Sequence, residues 1–335
     1  MSLKVVNELD IVYKNRCVNY INWNSPLTVI ETTSKKYVQI YDTNITKQLL
    51  ESKKLAVFNY YQEGMAQLKK SGRKTTILEN FWQNSLLFIN NQEHKNLKVE
   101  LQKEIILLEN YFEENYSKIS KLLESHATAD CPIDLSAEIT NVIIADLIAY
   151  ISGLSFSICL AFIQKRKNVF FSYFHTINQS AMSENLDDFF EENYLKDIKP
   201  SLKMLICSLM LMGIDPIVSM IGAYQLEKTT QDKCFDIPSV SFITRISTDE
   251  ITLFNQRYAS GTIFNLSLTP NKKQYESGNF PSINFGIGAH KCLGTKLAKL
   301  IVGSAIMFLN QKALITSMKN ITVTGEGTFL KFKKA

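Results

Sequence analysis

One ten-residue stretch limits what this chain can fold into more than any other: Phe285-Gly286-Ile287-Gly288-Ala289-His290-Lys291-Cys292-Leu293-Gly294. It sets one cysteine in a glycine-punctuated loop, and residues 295–310 follow as a helical run. Glycines at 286, 288 and 294 admit positive φ and close backbone approach, where a side chain would collide with a flat neighbour. The loop feeds a helix N-terminus, whose amides favour negative charge and therefore a thiolate. Taken alone, Cys292 reads as a buried structural thiol, the common fate of an unpaired cysteine.

The full spacing, F-x-x-G-x-H-x-C-x-G, resembles the haem-ligand loop of cytochromes P450. The resemblance implies a mainly α-helical haem fold with small β-sheets, haem b as cofactor, and Cys292 as the thiolate ligand of its iron. It further implies that Phe285 shields the sulfur, that Gly286 and Gly294 shape the loop, and that His290 reaches a haem propionate. Residues 285–310 then form the haem-ligand loop and proximal helix.

Earlier in the chain, His94 and Lys98 stand four apart and share a helical face. Two donor groups so placed suit a carboxylate, although a surface histidine and lysine usually do nothing specific. By the same resemblance they match the H-x-x-x-R helix that holds a propionate, with lysine replacing arginine and losing its bidentate fork. Trp82 is expected near the same edge, and Arg245 is implied as a further propionate partner.

Pro200 opens a long apolar run, the expected central distal helix at 200–228. Its family signature is small-Gly-x-acid-Thr, and here it reads Met212-Gly213-Ile214-Asp215-Pro216. Gly213 and Asp215 fit, but proline replaces the threonine whose hydroxyl helps deliver protons. Asp215 remains a proton-handling candidate beside a solvent-facing or capping role. A proline inside a helix frees the carbonyl four residues back, so the sequence predicts a kink and an exposed Met212 carbonyl. No E-x-x-R occurs, and about ten residues separate the central helix from the Arg245 strand, too few for two more helices at ~1.5 Å per residue. The expected fold is thus truncated around the J and K helices and the meander. Asn271-Lys272 resembles the remnant of a further family pair.

Residues 27–42 alternate as a hairpin turning at 34–36, with Thr43 or Asn44 capping a helix through Leu55. Stretches 27–60 and 237–268 are expected to supply the small sheets, the latter with a hairpin over 251–268 turning at Ser260-Gly261. Amphipathic helices are expected over 101–125 and 133–153, the second opened by Asp134 or Ser136. The aromatic-rich segment 156–190 reads either as core or, by resemblance, as the roof of a substrate cavity. With no repeat or linker, residues 1–335 read as one domain.

Composition excludes several classes. A net charge of +5, carried almost wholly by lysine, does not make a nucleic-acid module. Six cysteines (17, 131, 159, 207, 234, 292) show no C-x-x-C spacing, which fits a reducing cytoplasm and not structural zinc. The apolar stretches 147–163 and 204–223 are respectively short and interrupted by Asp215, so no membrane span is expected, nor a signal peptide over 1–20. Lys291, Lys296 and Lys299 surround the cysteine loop and suit an acidic ferredoxin or flavodoxin, unless they are simply a solvated face.

The expected activity is therefore an atypical P450-type oxidation of a small molecule in specialised metabolism. It would be peroxide-driven, substrate-assisted or non-oxygenating. The competing expectation is a non-catalytic binding module or a haem-based sensor on the same scaffold.

Overall fold

A computed structural model describes residues 4–5, 27–31, 36–58, 66, 69–70, 72, 76–127, 132–165, 176–192, 195, 197–230, 240, 242–270, 274, 277–278, 281–312, 321–326 and 329–334. The chain forms two compact units, one built on Met1–Phe58 and Lys233–Cys292 with Val323–Lys331, the other on Asn59–Asp232 and Leu293–Thr322 with Phe332–Ala335.

The first unit is a sheet. Strands β1 (Lys4–Val5), β2 (Leu27–Glu31), β3 (Lys36–Ile40), β4 (Leu55–Val57), β5 (Phe242–Ser247) and β8 (Ile263–Ser267) lie in the order β1-β2-β3-β8-β5-β4. The expected hairpin is present, with Val29 opposite Val38 in antiparallel register; most of its turn lies outside the described residues. β3 then pairs in parallel with β8, Val38 against Phe264 and Ile40 against Leu266, joining residues more than two hundred positions apart. One face carries those four apolar side chains, and α1 (Thr43–Glu51) covers it with Ile45, Leu49 and Leu50.

Asp42, not Thr43 or Asn44, caps α1. Its carboxylate accepts from the amides of Asn44 and Ile45 at 2.9 and 3.2 Å, which satisfies two of the orphan donors of the first turn. The helix stops at Glu51, and Leu55 opens β4 rather than ending α1. Gln274 ties the cap down. It accepts from the Thr43 amide and hydroxyl and donates to Asp42 at 3.1 Å.

The second hairpin also differs. β6 (Ile251–Leu253) and β7 (Gln256–Tyr258) turn at Phe254 and Asn255, both at positive φ (50° and 61°), while Ser260-Gly261 makes the later turn into β8. Two positive φ values match the strand twist of a two-residue hairpin loop, and asparagine tolerates that region well. β9 (Ile321–Glu326) and β10 (Phe329–Lys334) form a separate pair.

The second unit is helical: α2 (Thr76–Asn84), α3 (Asn91–Glu114), α4 (Tyr116–His126), α5 (Pro132–Ser152), α6 (Phe156–Gln164), α7 (Thr176–Glu192), α8 (Pro200–Ser208), a π-turn at Leu209–Gly213, α9 (Ile214–Thr230) and α10 (Thr295–Gln311). α5 is its axis. Ile139, Val142, Ile143, Ile144, Leu147 and Ile148 are all buried, and α4, α6, α9 and α10 pack around them. Burying these large aliphatic side chains, at ~25 cal/mol per Å2, contributes to the apolar core of the unit.

α3 begins at Asn91, ten residues before the expected start, and breaks at Asn115. Both the backbone and the side-chain amide of Asn115 donate to the Tyr111 carbonyl at 2.9 Å, and Asn115 leaves the helical range with φ −107° and ψ 19°. The stretch 147–163 is not one segment: the chain turns at Gly153, with φ at 72°, between α5 and α6. Leu135–Ser152 and Pro200–Tyr224 are long and apolar enough to cross a membrane, yet 61% of each is buried inside the unit, as core helices are. The aromatic segment contributes to the same core, Phe162 stacking on Phe189 at 3.8 Å beside Phe190. Residues 166–175 lie outside the described residues, as do Asn271-Lys272 and most of 231–241.

Candidate functional site

The cysteine loop is closed by its own backbone. The Cys292 amide donates to the Phe285 carbonyl at 2.9 Å, the Gly286 amide to Ile283 at 2.8 Å, and the Lys291 amide to Gly288 at 3.2 Å across a 3-10 turn at Gly288–His290. Gly286 and Gly288 hold φ at 70° and 72°, the left-handed region that disfavours any side chain. A Cβ on Gly288 would lie 3.2 Å from the Leu50 carbonyl oxygen, so the turn rests directly on the backbone of α1. A Cβ on Gly286 would lie 3.7 Å from Ile243 Cδ1, which seats the loop against β5.

Arg245 lies two residues beyond Ile243 and therefore on the same face of β5, opposite Phe264 in register. Its Nη1 donates to the Thr244 carbonyl at 2.8 Å, and its side chain is half-buried. The sheet unit thus brings Arg245, Phe285, Gly286, His290 and Cys292 to one side. Phe285 and His290 are half-buried, while Cys292 is exposed. Cys159 and Cys207, by contrast, are sealed in the helical core. Burial pushes their thiols up to about 11 and about 12, which leaves both protonated and inert.

This arrangement fits a haem thiolate. Cys292 is exposed three residues before α10, and backbone hydrogen bonds close the loop from Phe285 to Cys292 and from Gly288 to Lys291. Gly294 is the N-cap residue of α10, its carbonyl accepting from Ala298 at 2.8 Å.

The remaining candidates lie in the helical unit. His94 and Lys98 stand on one face of α3, His94 buried at 4% exposure and Lys98 half-buried. Trp82 is core, packed edge-on against Phe81 and Phe88. Asp215 and Pro216 occupy the first turn of α9, both half-buried. The sequence expects an irregularity at this proline, and the helix carries one immediately before it. The helical irregularity is the π-turn at Leu209–Gly213, which ends where α9 begins. Backbone is helical without a break through Leu209 and Ile214, so Pro216 sits inside a continuous helix just past the π-turn, where its missing amide removes a backbone hydrogen bond. Lys296 differs from a free surface cation. Its Nζ lies 3.0 Å from Glu113 and 3.7 Å from Glu109 on α3, and the Glu113 hydrogen bond holds its ammonium above the ordinary lysine range. Lys291 and Lys299 are exposed.

The sequence reading missed a polar cluster centred on Asp146, whose side chain is 1% exposed. A single charge inside the apolar run 142–148 was the available signal. Asp146 accepts from Lys118 Nζ at 2.6 Å and from the Tyr111 hydroxyl at 2.9 Å, and Lys118 also donates to that hydroxyl at 2.7 Å.

No protein-family model matches the sequence, and no curated protein matches it. Solved structures do. The cytochrome P450 CxnD, for C–S bond formation in chuangxinmycin biosynthesis, superposes with a TM-score of 0.69 at 12% identity, covering 98% of this chain and 96% of that one. Epothilone D-bound P450epoK gives 0.68 at 11% identity, covering 92% of both chains. P450BioI, in complex with an acyl carrier protein ligated to hexadec-9Z-enoic acid, gives 0.64 at 14% identity over 94% of this chain and 95% of that one. The chain therefore has the cytochrome P450 fold, mainly α with small sheets.

Proposed function

We propose that this protein is a haem-thiolate oxidoreductase of the cytochrome P450 type, acting on a small molecule in specialised-metabolite biosynthesis, with Cys292 as the ligand of haem iron. The observation that carries the reading is the closed, glycine-lined loop that leaves Cys292 exposed. Haem bound there supplies redox chemistry at iron, with the thiolate donating electron density. Phe285 limits water at the sulfur, and Arg245 and His290 neutralise propionate charge from the sheet unit. The same role is assigned to His94 and Lys98 of the helical unit, four cationic or donor groups for two carboxylates.

Oxygen handling is atypical because Pro216 carries no hydroxyl. The half-buried Asp215 carboxylate is the group left to hold or pass a proton on α9, which suits peroxide-driven, substrate-assisted or non-oxygenating chemistry. Lys291 and Lys299 are the exposed cations for an acidic ferredoxin or flavodoxin, while Lys296 is committed to Glu109 and Glu113. We place the protein in the cytoplasm, where six unpaired-pattern cysteines stay reduced.

The decisive measurement is the absorption spectrum of the purified chain, as isolated and after dithionite with carbon monoxide. A thiolate-type reduced-CO band that disappears in Cys292→Ala supports the assignment. A chain that takes up no haemin, or one whose band survives Cys292→Ala, removes it. Pro216 equally suits a non-catalytic binding module or a haem sensor, and absence of turnover with both peroxide and a reductase would favour that second reading.

A further inference from the structure

The Asp146 cluster has a geometry that a structural pin does not need. Tyr111 donates its hydroxyl hydrogen bond to a buried carboxylate, while its ring stacks on Tyr150 with centroids 4.0 Å apart and planes 15° from parallel. Tyr150 is 47% exposed, so one ring of the stack meets solvent and the other lies behind it. Lys118 Nζ touches both the phenol oxygen and the second carboxylate oxygen. That contact sets a cation against both ends of the Tyr111–Asp146 hydrogen bond. Tyr258 offers a contrast. Its hydroxyl meets the neutral Gln256 side chain at 3.1 Å, a far weaker base.

We propose that the Tyr111–Tyr150 stack is a redox-active site at which the helical unit takes up a single oxidising equivalent as a neutral tyrosyl radical on Tyr111. In the step, Tyr111 gives one electron to an external one-electron oxidant, which is reduced by one. The phenolic O–H bond breaks and its proton passes to Asp146 Oδ2. No atom leaves the protein, and a one-electron reductant with return of the proton restores the starting state. A phenol stripped of one electron becomes a very strong acid, so a base within hydrogen-bond reach decides which tyrosine keeps the radical. Tyr150 provides the entry, since its exposed ring exchanges electrons with solution and overlaps Tyr111. The site stands on its own geometry and does not depend on haem. In a chain that handles oxidants it offers a reversible resting place for stray oxidising equivalents.

The test uses the full chain without haem and photogenerated tris(bipyridine)ruthenium(III) as oxidant, with samples frozen after the flash for electron paramagnetic resonance. A tyrosyl signal is expected in the unaltered protein. Tyr111→Phe keeps the ring stack and should lose most of that signal, whereas Tyr150→Phe should keep the signal and slow its appearance. Placing 3,5-difluorotyrosine at position 111 by codon suppression retains the hydroxyl and should change the hyperfine pattern, and this variant decides the matter if Tyr111→Phe fails to fold. A purely structural cluster would leave the spectrum indifferent to these changes. An undiminished signal in Tyr111→Phe, or an unchanged hyperfine pattern with the fluorinated residue, overturns the proposal.

Discussion

Three glycines of the sheet unit share one backbone conformation but differ in what surrounds them, which allows the conformational and steric contributions in the cysteine loop to be separated. Gly261, Gly286 and Gly288 have φ of 86°, 70° and 72°. A Cβ at Gly261 would meet nothing within 4 Å, at Gly286 would make ordinary contacts at 3.7 Å, and at Gly288 would stand 3.2 Å from the Leu50 carbonyl oxygen. Placing alanine in the left-handed region costs about 1–2 kcal/mol. Stiffening the unfolded chain returns about 0.4–1 kcal/mol of that. Gly261→Ala and Gly286→Ala should therefore each destabilise by about 1 kcal/mol. Gly288→Ala must also push against backbone that belongs to α1, an overpacking contribution of about 1–3 kcal/mol, for a total near 2–4 kcal/mol. Urea unfolding followed by circular dichroism, at equal m-values, gives the three differences directly. If Gly288→Ala is no more destabilised than Gly261→Ala, the turn does not rest on α1 as described. The account of how the cysteine loop is positioned would then fail.

Pro216→Ala restores an amide inside a continuous helix and should stabilise the chain by up to about 3 kcal/mol, read from urea midpoints; no gain would show that the π-turn already absorbs the missing bond. Lys118→Met leaves the buried Asp146 carboxylate without its cation and should destabilise by about 1–3 kcal/mol, less than a fully buried pair because the lysine is half-exposed. Burial raises the Tyr111 phenol, and for Lys118 burial acts downward but is outweighed by hydrogen bonds to Asp146 and Tyr111. Both folded-state values therefore lie above the unfolded ones, so the stability they confer is full below about pH 10 and lost as pH rises further. Urea midpoints between pH 9 and 11 should fall in the parent chain and fall less in Lys118→Met. Iodoacetamide at pH 8, read peptide by peptide, should label exposed Cys292 and spare Cys159 and Cys207 until the chain unfolds, and haem loading should protect Cys292.

What could be read from the sequence was local chemistry with a strict spacing. The cysteine loop, the β2–β3 hairpin and the start of α8 at Pro200 each rest on residues that impose their own backbone geometry. Boundaries set by competition for hydrogen bonds were not readable in the same way. Asp42 outcompeted Thr43 and Asn44 as a cap because its carboxylate reaches two amides, and Asn115 broke an apolar pattern that runs past it. The β6–β7 turn was hidden because Phe254 does not advertise a positive φ. The commitment of Lys296 to Glu109 and Glu113 joins residues nearly two hundred positions apart, and no local pattern marks such a pair. Asp146 was the opposite case. Its anomaly stood in plain view, and only the partners on α3 and α4 give it meaning.

Pro216 and the π-turn are best understood as one feature. A π-turn uses i→i+5 bonding and so takes one residue more than an α-turn, which rotates everything beyond it by about 100° relative to an unbroken helix. The faces of α8 and α9 therefore do not align as a continuous pattern from Pro200 to Thr230 suggests. The orientation of Asp215 has to be taken from the buried residues of α9 itself, Ile214, Ile217 and Ile221. The π-turn lies in the turn that precedes Pro216, and its wider i→i+5 bonding accommodates a residue with no amide inside a continuous helix. A proline there brings no side-chain hydroxyl to this stretch, and the helix runs on through it to Thr230.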